Sequence, residues 1–441
     1  MRYTDIAVIG GGLAGATTAA MLGRMGVATI LVDPHSVYPP DFRVEKISGE
    51  VQVERFRRTG VADSVLRKAT LDGENWIARA GYVLDKAPSQ QYGIMYDTLV
   101  NTIRAEIPAS VEKIVAKAVA IRASDDRQQI ILSNDETISA RLVVLANGLN
   151  VGLRQALGIE RRIESACHSI SIGFDMAPLG RAAFPFRALT YFQEQAAARI
   201  PYITLFPIDN RMRANLFAYR ELDDPWLQMI RQRPVDALDA VLPGLRRITG
   251  DYAVIGEIKM RPADLYVNTG YRRPGMVLVG DAFKTTCPVT GSGCDKVFTD
   301  VERLCNSYIP QWLASEGMSE TKIGAFYDDP VKTACDAWSL RQAYHFRSVS
   351  VGAGPYWLAL AWPVSAYRSA AASSTGWAES LRAEAITPHR RPRHHPRCRH
   401  RPDRPDAACG SGHPKACDRR RSSPAIRRGC RARSPGRPRS R

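Results

Sequence analysis

Residues 5–33 read DIAVIGGGLAGATTAAMLGRMGVATILVD, and this stretch decides the fold. An apolar strand leads into three consecutive glycines, a helix follows, and a second apolar strand ends at an acidic residue. This order of elements predicts a nucleotide-binding β-α-β unit. The free N–H groups and the positive dipole end of its helix are suited to phosphate.

The glycines of this unit are expected to have separate roles. Gly10 permits a tight turn, and Gly12 lets the backbone approach a pyrophosphate. Gly15, in the first turn of the helix, lets the helix pack close to the strand. Leu13 and Ala14 begin the helix, so their backbone N–H groups are predicted to face the phosphates.

The acid that ends the second strand, Asp33, indicates which nucleotide binds. It follows Gly12 by about 20 residues, the spacing at which a carboxylate bonds a ribose 2′-hydroxyl. A carboxylate there would repel a 2′-phosphate. We therefore expect the adenosine diphosphate of FAD or NAD rather than NADP. The alternative, a glycine turn without a ligand, does not account for the matching strands, helix and acid.

A second segment, VLVGDAFKTTCPVTGSGCDKVFTDVERL at residues 277–304, separates these two dinucleotides. A buried strand is predicted to deliver Gly280 and Asp281 at its C-terminal end, where the carboxylate can bond the ribityl hydroxyls of a flavin. The helix that follows can present N–H groups to the pyrimidine end of the flavin ring. Three residues form the turn that opens this helix: Pro288, Gly291 and Gly293. The segment favours FAD, because an enzyme that uses only NAD needs no such site.

At these residues the chain resembles the FAD-dependent monooxygenases of the para-hydroxybenzoate hydroxylase type, which are related to the prenyl reductase and flavin halogenase group. The resemblance covers about residues 3–345 and rests on GxGxxG followed later by GD and PxxGxG. It implies non-covalent FAD and assigns Arg43 as a further FAD contact. The chain departs from the family's DGxxSxVR motif, with Asn147 for the acid and Val151 for the serine. Tyr96 stands where many members have arginine.

The resemblance also implies a reaction. NADH or NADPH, as a transient co-substrate, reduces FAD, and O2 is captured as a C4a-hydroperoxyflavin. One oxygen atom then passes to an aromatic or polyketide-like small molecule. A prenyl-type reductase or a halogenase-like enzyme is an alternative, although the chain lacks the WxWxIP motif of halogenases. An alternative of another class is nucleic-acid binding through the basic C-terminal tail.

The predicted fold class is α/β. A Rossmann-like FAD-binding domain of the glutathione-reductase type is interrupted by an antiparallel β-sheet substrate domain, with C-terminal helices and a disordered basic tail after it. The expected boundaries are 1–80, 98–164 and 263–347 for the FAD domain, 81–97 and 165–262 for the substrate domain, 348–386 for a helical, apolar segment and 387–441 for the tail. His168, on the apolar face of a strand of the substrate sheet, is a weak catalytic candidate. The alternative is a core histidine with satisfied hydrogen bonds.

The positive charge is concentrated in one part of the chain. The 441 residues carry a net charge of +17, of which residues 387–441 hold +15 and the remainder only +2. The tail is rich in Arg and Pro without apolar periodicity, so we expect disorder. It is either a basic arm or a non-native C-terminus, and composition favours the second. We expect no specific nucleic-acid partner for the remainder.

Cysteine usage and the N-terminus point to the cytoplasm. The five cysteines before the tail form no CxxC pair, and free thiols fit a reducing compartment. The N-terminus enters a strand at once, so we expect no signal peptide, and no apolar run reaches the length of a membrane span. We expect no metal site. The oligomeric state is left open.

Overall fold

A computed structural model describes residues 1–352 of the chain. The predictions for the apolar segment after residue 352 and for the tail, residues 387–441, lie outside the described residues. Within residues 1–352, no helix combines the length and apolar composition that a membrane crossing needs. The five cysteines of this range are all free thiols.

The described residues form fifteen strands, which are numbered in chain order. They are β1 (Arg2–Ile9), β2 (Thr29–Asp33), β3 (Val44–Ser48), β4 (Thr70–Arg79), β5 (Tyr82–Met95), β6 (Glu112–Val115), β7 (Ala118–Arg122), β8 (Gln128–Leu132), β9 (Thr137–Leu145), β10 (Glu160–Pro178), β11 (Ala188–Phe192), β12 (Tyr202–Ile208), β13 (Arg211–Ala218), β14 (Tyr252–Thr269) and β15 (Met276–Leu278).

The same range contains twelve α-helices. They are α1 (Leu13–Arg24), α2 (Gly49–Arg57), α3 (Ala62–Leu66), α4 (Tyr96–Ala105), α5 (Gly152–Ala156), α6 (Pro225–Gln232), α7 (Pro234–Val241), α8 (Leu245–Thr249), α9 (Gly293–Arg303), α10 (Ile309–Leu313), α11 (Glu320–Tyr327) and α12 (Pro330–Val351). A π-helical turn over Leu304–Tyr308 joins α9 to α10, and short 3₁₀ turns occur at Gly280–Ala282 and Pro288–Thr290.

The first sheet has seven strands in the order β6-β2-β1-β9-β8-β7, with β15 also paired to β9. Its central pairs, β6 with β2, β2 with β1, and β1 with β9, are parallel. Parallel strands are covered on both faces, which explains why β1, β2 and β9 are nearly continuous apolar runs. Helix α1 packs against α4 and α9 beside this sheet.

The second sheet has eight strands in the order β14-β10-β13-β12-β11-β4-β5-β3, and only β11 with β4 is a parallel pair. Alternate residues of β10 are apolar, and Ile170, Ile172 and Phe174 pack in one cluster with residues of α6, α7 and α8. The sheet therefore has one face buried under helices and a second face that is free for another role. The predicted fold class, a Rossmann-like domain with an antiparallel sheet, is confirmed.

Two local predictions differ from the structure. The pattern of residues 44–60 predicts a helix, but residues 44–48 form β3, and α2 begins only at Gly49. Residues 70–79, within the range expected for the FAD domain, form β4 of the second sheet. Residues 44–48 pair with the distant residues 91–95 of β5, and this pairing overrides local helix propensity, whereas β4 forms a hairpin with β5.

The close approach of α1 to β1 generates a stability prediction. A Cβ atom added at Gly15 would lie 1.8 Å from the carbonyl oxygen of Gly10, whereas one added at Gly12 would meet nothing nearer than 3.9 Å. Gly15→Ala should lower the free energy of unfolding by about 1–3 kcal/mol or more, because α1 must move away from β1. Gly12→Ala, the matched control, should cost about 1 kcal/mol or less. Thermal or denaturant unfolding of the apoproteins measures both, and equal losses would contradict this account.

Candidate FAD and substrate site

The first glycine turn has the geometry of a phosphate cradle. Strand β1 ends at Ile9, and Gly10 then adopts a φ of +101°, which a residue with a side chain rarely takes. No side chain caps α1, so the N–H groups of Leu13 and Ala14 lie at an open helix N-terminus. The predicted residues Gly10, Gly12, Leu13, Ala14 and Gly15 thus form one turn with free backbone donors, as an anionic ligand requires.

Asp33 is tied into this turn from the end of β2. Its Oδ2 accepts a hydrogen bond from the Gly11 N–H at 2.6 Å, and its Oδ1 accepts one from the His35 N–H at 2.9 Å. Nη2 of Arg104 lies 2.9 Å from Oδ1, at an angle that makes an ion pair and not a hydrogen bond. The carboxylate therefore orders the glycine turn.

Arg104 is a residue of the candidate site that the sequence does not identify. Its Nε donates to the Gly11 carbonyl at 2.8 Å and its Nη1 to the His35 carbonyl at 2.7 Å. The guanidinium thus fastens the glycine turn to the loop after β2. No local pattern marks it, because Arg104 comes from α4, far along the chain. A cleft of about 320 Å³ opens beside it, lined also by Asn101 and Lys113.

The second segment meets the first at Gly280. Strand β15 leads to this glycine, which has a φ of +59° and whose added Cβ would lie 3.5 Å from the Cβ of Ala14. Asp281 follows it, half-buried, and its carboxylate makes no hydrogen bond with any residue of the described range. Burial raises the pKa of this carboxyl. A half-buried carboxylate without a hydrogen-bond partner can accept hydrogen bonds from the hydroxyl groups of a ligand.

The loop after Asp281 leads into a second open helix N-terminus. Pro288 starts a 3₁₀ turn, and Gly291 has a φ of +66° with no atom within 4 Å of an added Cβ. Helix α9 begins at Gly293 without a side-chain cap. The acid in its first turn, Asp295, is paired with Arg55 of α2, so it does not occupy the free N–H groups of α9.

Arg43 approaches the same region from the loop before β3. Its Nε donates to Asp41 at 2.8 Å and its Nη2 to the Tyr38 hydroxyl at 2.8 Å. Its guanidinium carbon lies 3.9 Å from the centroid of the Tyr96 ring. The tyrosine that stands in place of the family's arginine thus stacks on Arg43 and holds it in place.

Glu45 is a second residue of the candidate site that the sequence does not identify. It lies on β3, where the sequence pattern predicts a helix. The Cys294 thiol, at the start of α9, donates to Glu45 Oε2 at 3.3 Å. Burial raises the pKa of Glu45, and the nearby Asp281 and Asp41 add to this effect. A carboxyl with a raised pKa therefore lies beside the open N-terminus of α9.

Arg154, from the segment that departs from DGxxSxVR, supports the Asp281 turn. It is buried, and its Nη1 donates to the Ala282 carbonyl at 2.8 Å and to the Gly148 carbonyl at 2.9 Å. The arginine of the motif therefore has a structural partner here. Asn147, in the position of the acid, bonds only within its own turn, to the Asn150 carbonyl at 3.3 Å.

His168 packs beside Tyr219, with ring centroids 6.1 Å apart. Register shifts in β10 between Ser165 and Ser169 remove it from the face that carries Ile170. Its Nδ1 lies 3.0 Å from Ser165 Oγ and its Nε2 lies 3.2 Å from the Ala343 carbonyl. Burial lowers its pKa. A buried neutral ring with both nitrogens engaged fits the core-histidine alternative better than a catalytic base.

The free face of the second sheet points toward the second segment. Ser171 on β10 pairs with Phe217 of β13 and Arg261 of β14, so these three side chains share that face. An apolar cluster covers one end of it, formed by Phe217, Tyr219, Leu265, Cys287, Val289 and Ala343. The hydroxyls of Ser171 and Tyr219 are buried without a hydrogen-bond partner among the described residues.

Cys287, at the start of the loop, contacts this face. Its Sγ lies 3.3 Å from Ser169 Oγ, and burial raises its pKa to about 11. The thiol therefore stays protonated at neutral pH, which disfavours a covalent link to a flavin. Within residues 1–352 no group of His, Cys, Asp or Glu side chains is arranged to hold a metal ion.

Comparison with known proteins agrees with this geometry. Residues 3–309 match the family described as FAD binding domain. The chain is 26% identical over 327 residues to 3-demethoxyubiquinol 3-hydroxylase of Escherichia coli (strain K12), covering 68% of this chain and 78% of that protein. It is 26% identical over 329 residues to aklavinone 12-hydroxylase DnrF of Streptomyces peucetius subsp. caesius, covering 66% of this chain and 64% of that one.

Two solved structures share the fold. p-Nitrophenol 4-monooxygenase PnpA from Pseudomonas putida DLL-E4 aligns with a TM-score of 0.68 at 17% identity, over 87% of this chain and 98% of that one. The flavin-dependent brominase Bmp2 aligns with a TM-score of 0.65 at 14% identity, over 87% and 99% of the two chains. The two converging glycine turns agree with the match over residues 3–309, which shows that the chain belongs to the FAD binding domain family.

Proposed function

We propose that the protein hydroxylates an aromatic or polyketide-like small molecule, using O2 and electrons from NADH or NADPH. The convergence of Gly280 on Ala14 carries this proposal, because it brings the flavin-type carboxylate Asp281 to the open end of α1. The names of the two curated relatives, both hydroxylases, support it. In the overall reaction one oxygen atom enters a C–H bond, the other leaves as water, and NAD(P)H supplies two electrons.

The residues present fit FAD. The turn at Gly10–Gly15 would hold the pyrophosphate, Asp33 would accept from the ribose, and Asp281 would accept from the ribityl hydroxyls. Arg43 and the open N-terminus of α9 would contact the flavin portion. FAD, when bound and reduced, supplies the electrons that activate O2. The protein supplies orientation, charge and exclusion of water.

The substrate would lie on the free face of the second sheet. Phe217 and Tyr219 are buried aromatic rings at one end of that face, and Ser171 adds an unpartnered hydroxyl. Buried hydroxyls without partners are costly unless a ligand satisfies them. This combination suits a flat ring system with hydroxyl or carbonyl substituents. Asn147 and Val151 depart from the family motif that is linked to pyridine nucleotides. The test below therefore compares NADH with NADPH.

The purified protein should be yellow and should carry non-covalent FAD. Acid precipitation should release the colour into the supernatant, and anaerobic NADH or NADPH should bleach the visible spectrum until O2 is admitted. A colourless protein that FAD does not reconstitute would overturn the proposal. Colour that stays in the pellet would show covalent attachment.

Asp281→Ala should weaken FAD binding by about 1–3 kcal/mol, the usual scale for losing a charged hydrogen-bond partner. The carboxylate makes no hydrogen bond within residues 1–352, and burial raises its pKa, so its removal should cost the apoprotein little stability. Titration of apoprotein with FAD, followed by flavin fluorescence, gives the dissociation constant. Asp236→Ala, at an exposed acid of α7, is the control. Equal affinities for both variants would place the ribityl chain elsewhere.

Glu45→Gln should raise the thermal midpoint of the apoprotein at neutral pH. Burial raises the pKa of Glu45 in the folded state, so the stability that its protonation contributes is present at low pH and is lost as pH rises through that pKa. The amide removes this loss and can still accept from Cys294. Midpoints of both proteins should therefore converge as pH falls toward 4. A lower midpoint for the variant at neutral pH would show that ionised Glu45 stabilises the fold.

A further inference from the structure

Four charged side chains are buried between α9 and α12. Lys296 and Asp300 come from α9, Lys332 and Asp336 come from α12, and their side chains are 2%, 1%, 0% and 12% exposed. We call these four residues the α9–α12 charge cluster. Two ammonium groups balance two carboxylates, so the cluster has no net charge.

Short distances link all four members. Lys332 Nζ lies 2.8 Å from Asp300 Oδ1 and 3.1 Å from Asp336 Oδ2. Lys296 Nζ lies 3.0 Å from Asp300 Oδ2 and 2.9 Å from Asp336 Oδ1. Buried ion pairs of this kind seldom stabilise a fold more than apolar side chains of the same size would. Stability alone therefore does not account for the cluster.

The cluster touches the turn that carries Asp281. Asp300 Oδ2 accepts a hydrogen bond from the Gly280 N–H at 2.9 Å, immediately before Asp281. Lys332 Nζ also lies 4.3 Å from the centroid of the Phe283 ring, on the other side of the same turn. The cluster thus holds the turn at two points. One positive member, Lys296, also opposes the rise in the pKa of Asp281 that burial causes.

The far end of α12 reaches the second sheet. The Ala343 carbonyl lies 3.2 Å from His168 Nε2, and Arg347 donates to the His168 carbonyl at 2.8 Å. Ala343 also packs against Cys287 and Val289 of the loop before α9. A single helix of 22 residues therefore runs from the Asp281 turn to the bulge of β10.

We propose that Lys332 and Asp336 are positioning residues for Asp281, and that they make the docking of α12 a condition for tight FAD binding. They hold the Asp300 carboxylate where it accepts a hydrogen bond from the Gly280 N–H. That hydrogen bond sets the orientation of Asp281, the next residue. The proposal rests on the proposed FAD site. By linkage, FAD bound to the turn must in return stabilise the docked α12 against the sheet.

The test compares two ways of weakening the contact between α9 and α12. Lys332→Met removes one charge of the cluster. Arg303→Met, the matched control, removes the Arg303–Asp329 ion pair, which also joins α9 to the start of α12 but does not contact the Gly280 turn. The variant Lys332→Met/Asp336→Leu keeps the cluster neutral and serves if the single variant fails to fold.

Three quantities are measured on the full chain: the FAD dissociation constant, the thermal midpoint without FAD, and backbone hydrogen exchange of α12 with and without FAD. Lys332→Met and Arg303→Met should both lower the thermal midpoint. Only Lys332→Met and Lys332→Met/Asp336→Leu should weaken FAD binding, by tenfold or more. FAD should slow exchange in α12 of the wild type and of Arg303→Met.

The outcomes separate two kinds of failure. If the wild type does not bind FAD, both the proposed function and this inference are wrong. If the wild type binds FAD and the cluster variants bind it equally well, only the positioning role is wrong. Equal weakening by Lys332→Met and Arg303→Met would reduce the effect to general loss of stability and would also overturn the inference.

Discussion

The whole site depends on the close approach of α1 to β1. An added Cβ at Gly15 would lie 1.8 Å from the Gly10 carbonyl oxygen, so only glycine lets the helix begin directly above the end of the strand. That position fixes where the helix dipole points and leaves its first N–H groups open. Asp33 approaches the same turn from the end of β2 and Gly280 approaches it from the end of β15, and Arg104 of α4 donates to the Gly11 carbonyl.

The sequence predicts the parts of the site that depend on neighbouring residues. The glycine turns and the acids Asp33 and Asp281 follow from the order strand, turn and helix, since each pattern is complete within about 30 residues. Arg104 and Glu45 could not be predicted, because the first acts from α4 and the second lies on a strand that exists only through pairing with β5. His168 shows the same limit, since register shifts in β10 remove it from the face that alternation assigns to it.

The groups expected to meet FAD and substrate share one property, which is incomplete bonding within the protein. The Asp281 carboxylate and the hydroxyls of Ser171 and Tyr219 lack hydrogen-bond partners within the described range, while the Asp300 carboxylate, one step further out, accepts hydrogen bonds from Gly280, Lys296 and Lys332. Ligands that satisfy such groups add their binding energy to the stability of the fold. The apoprotein is therefore expected to be the less stable form. Rigid support around unsatisfied groups is also what preorganises a site for chemistry.

The two sheets are interleaved along the chain. The first takes strands from residues 2–33, 112–145 and 276–278, and the second takes strands from residues 44–95 and 160–269. Neither sheet can be cut out as one continuous fragment. During synthesis on the ribosome, β9 cannot pair with β15 until more than half of the chain has emerged. A growing chain thus exposes unpaired strand edges for much of its translation, which favours late assembly of the first sheet.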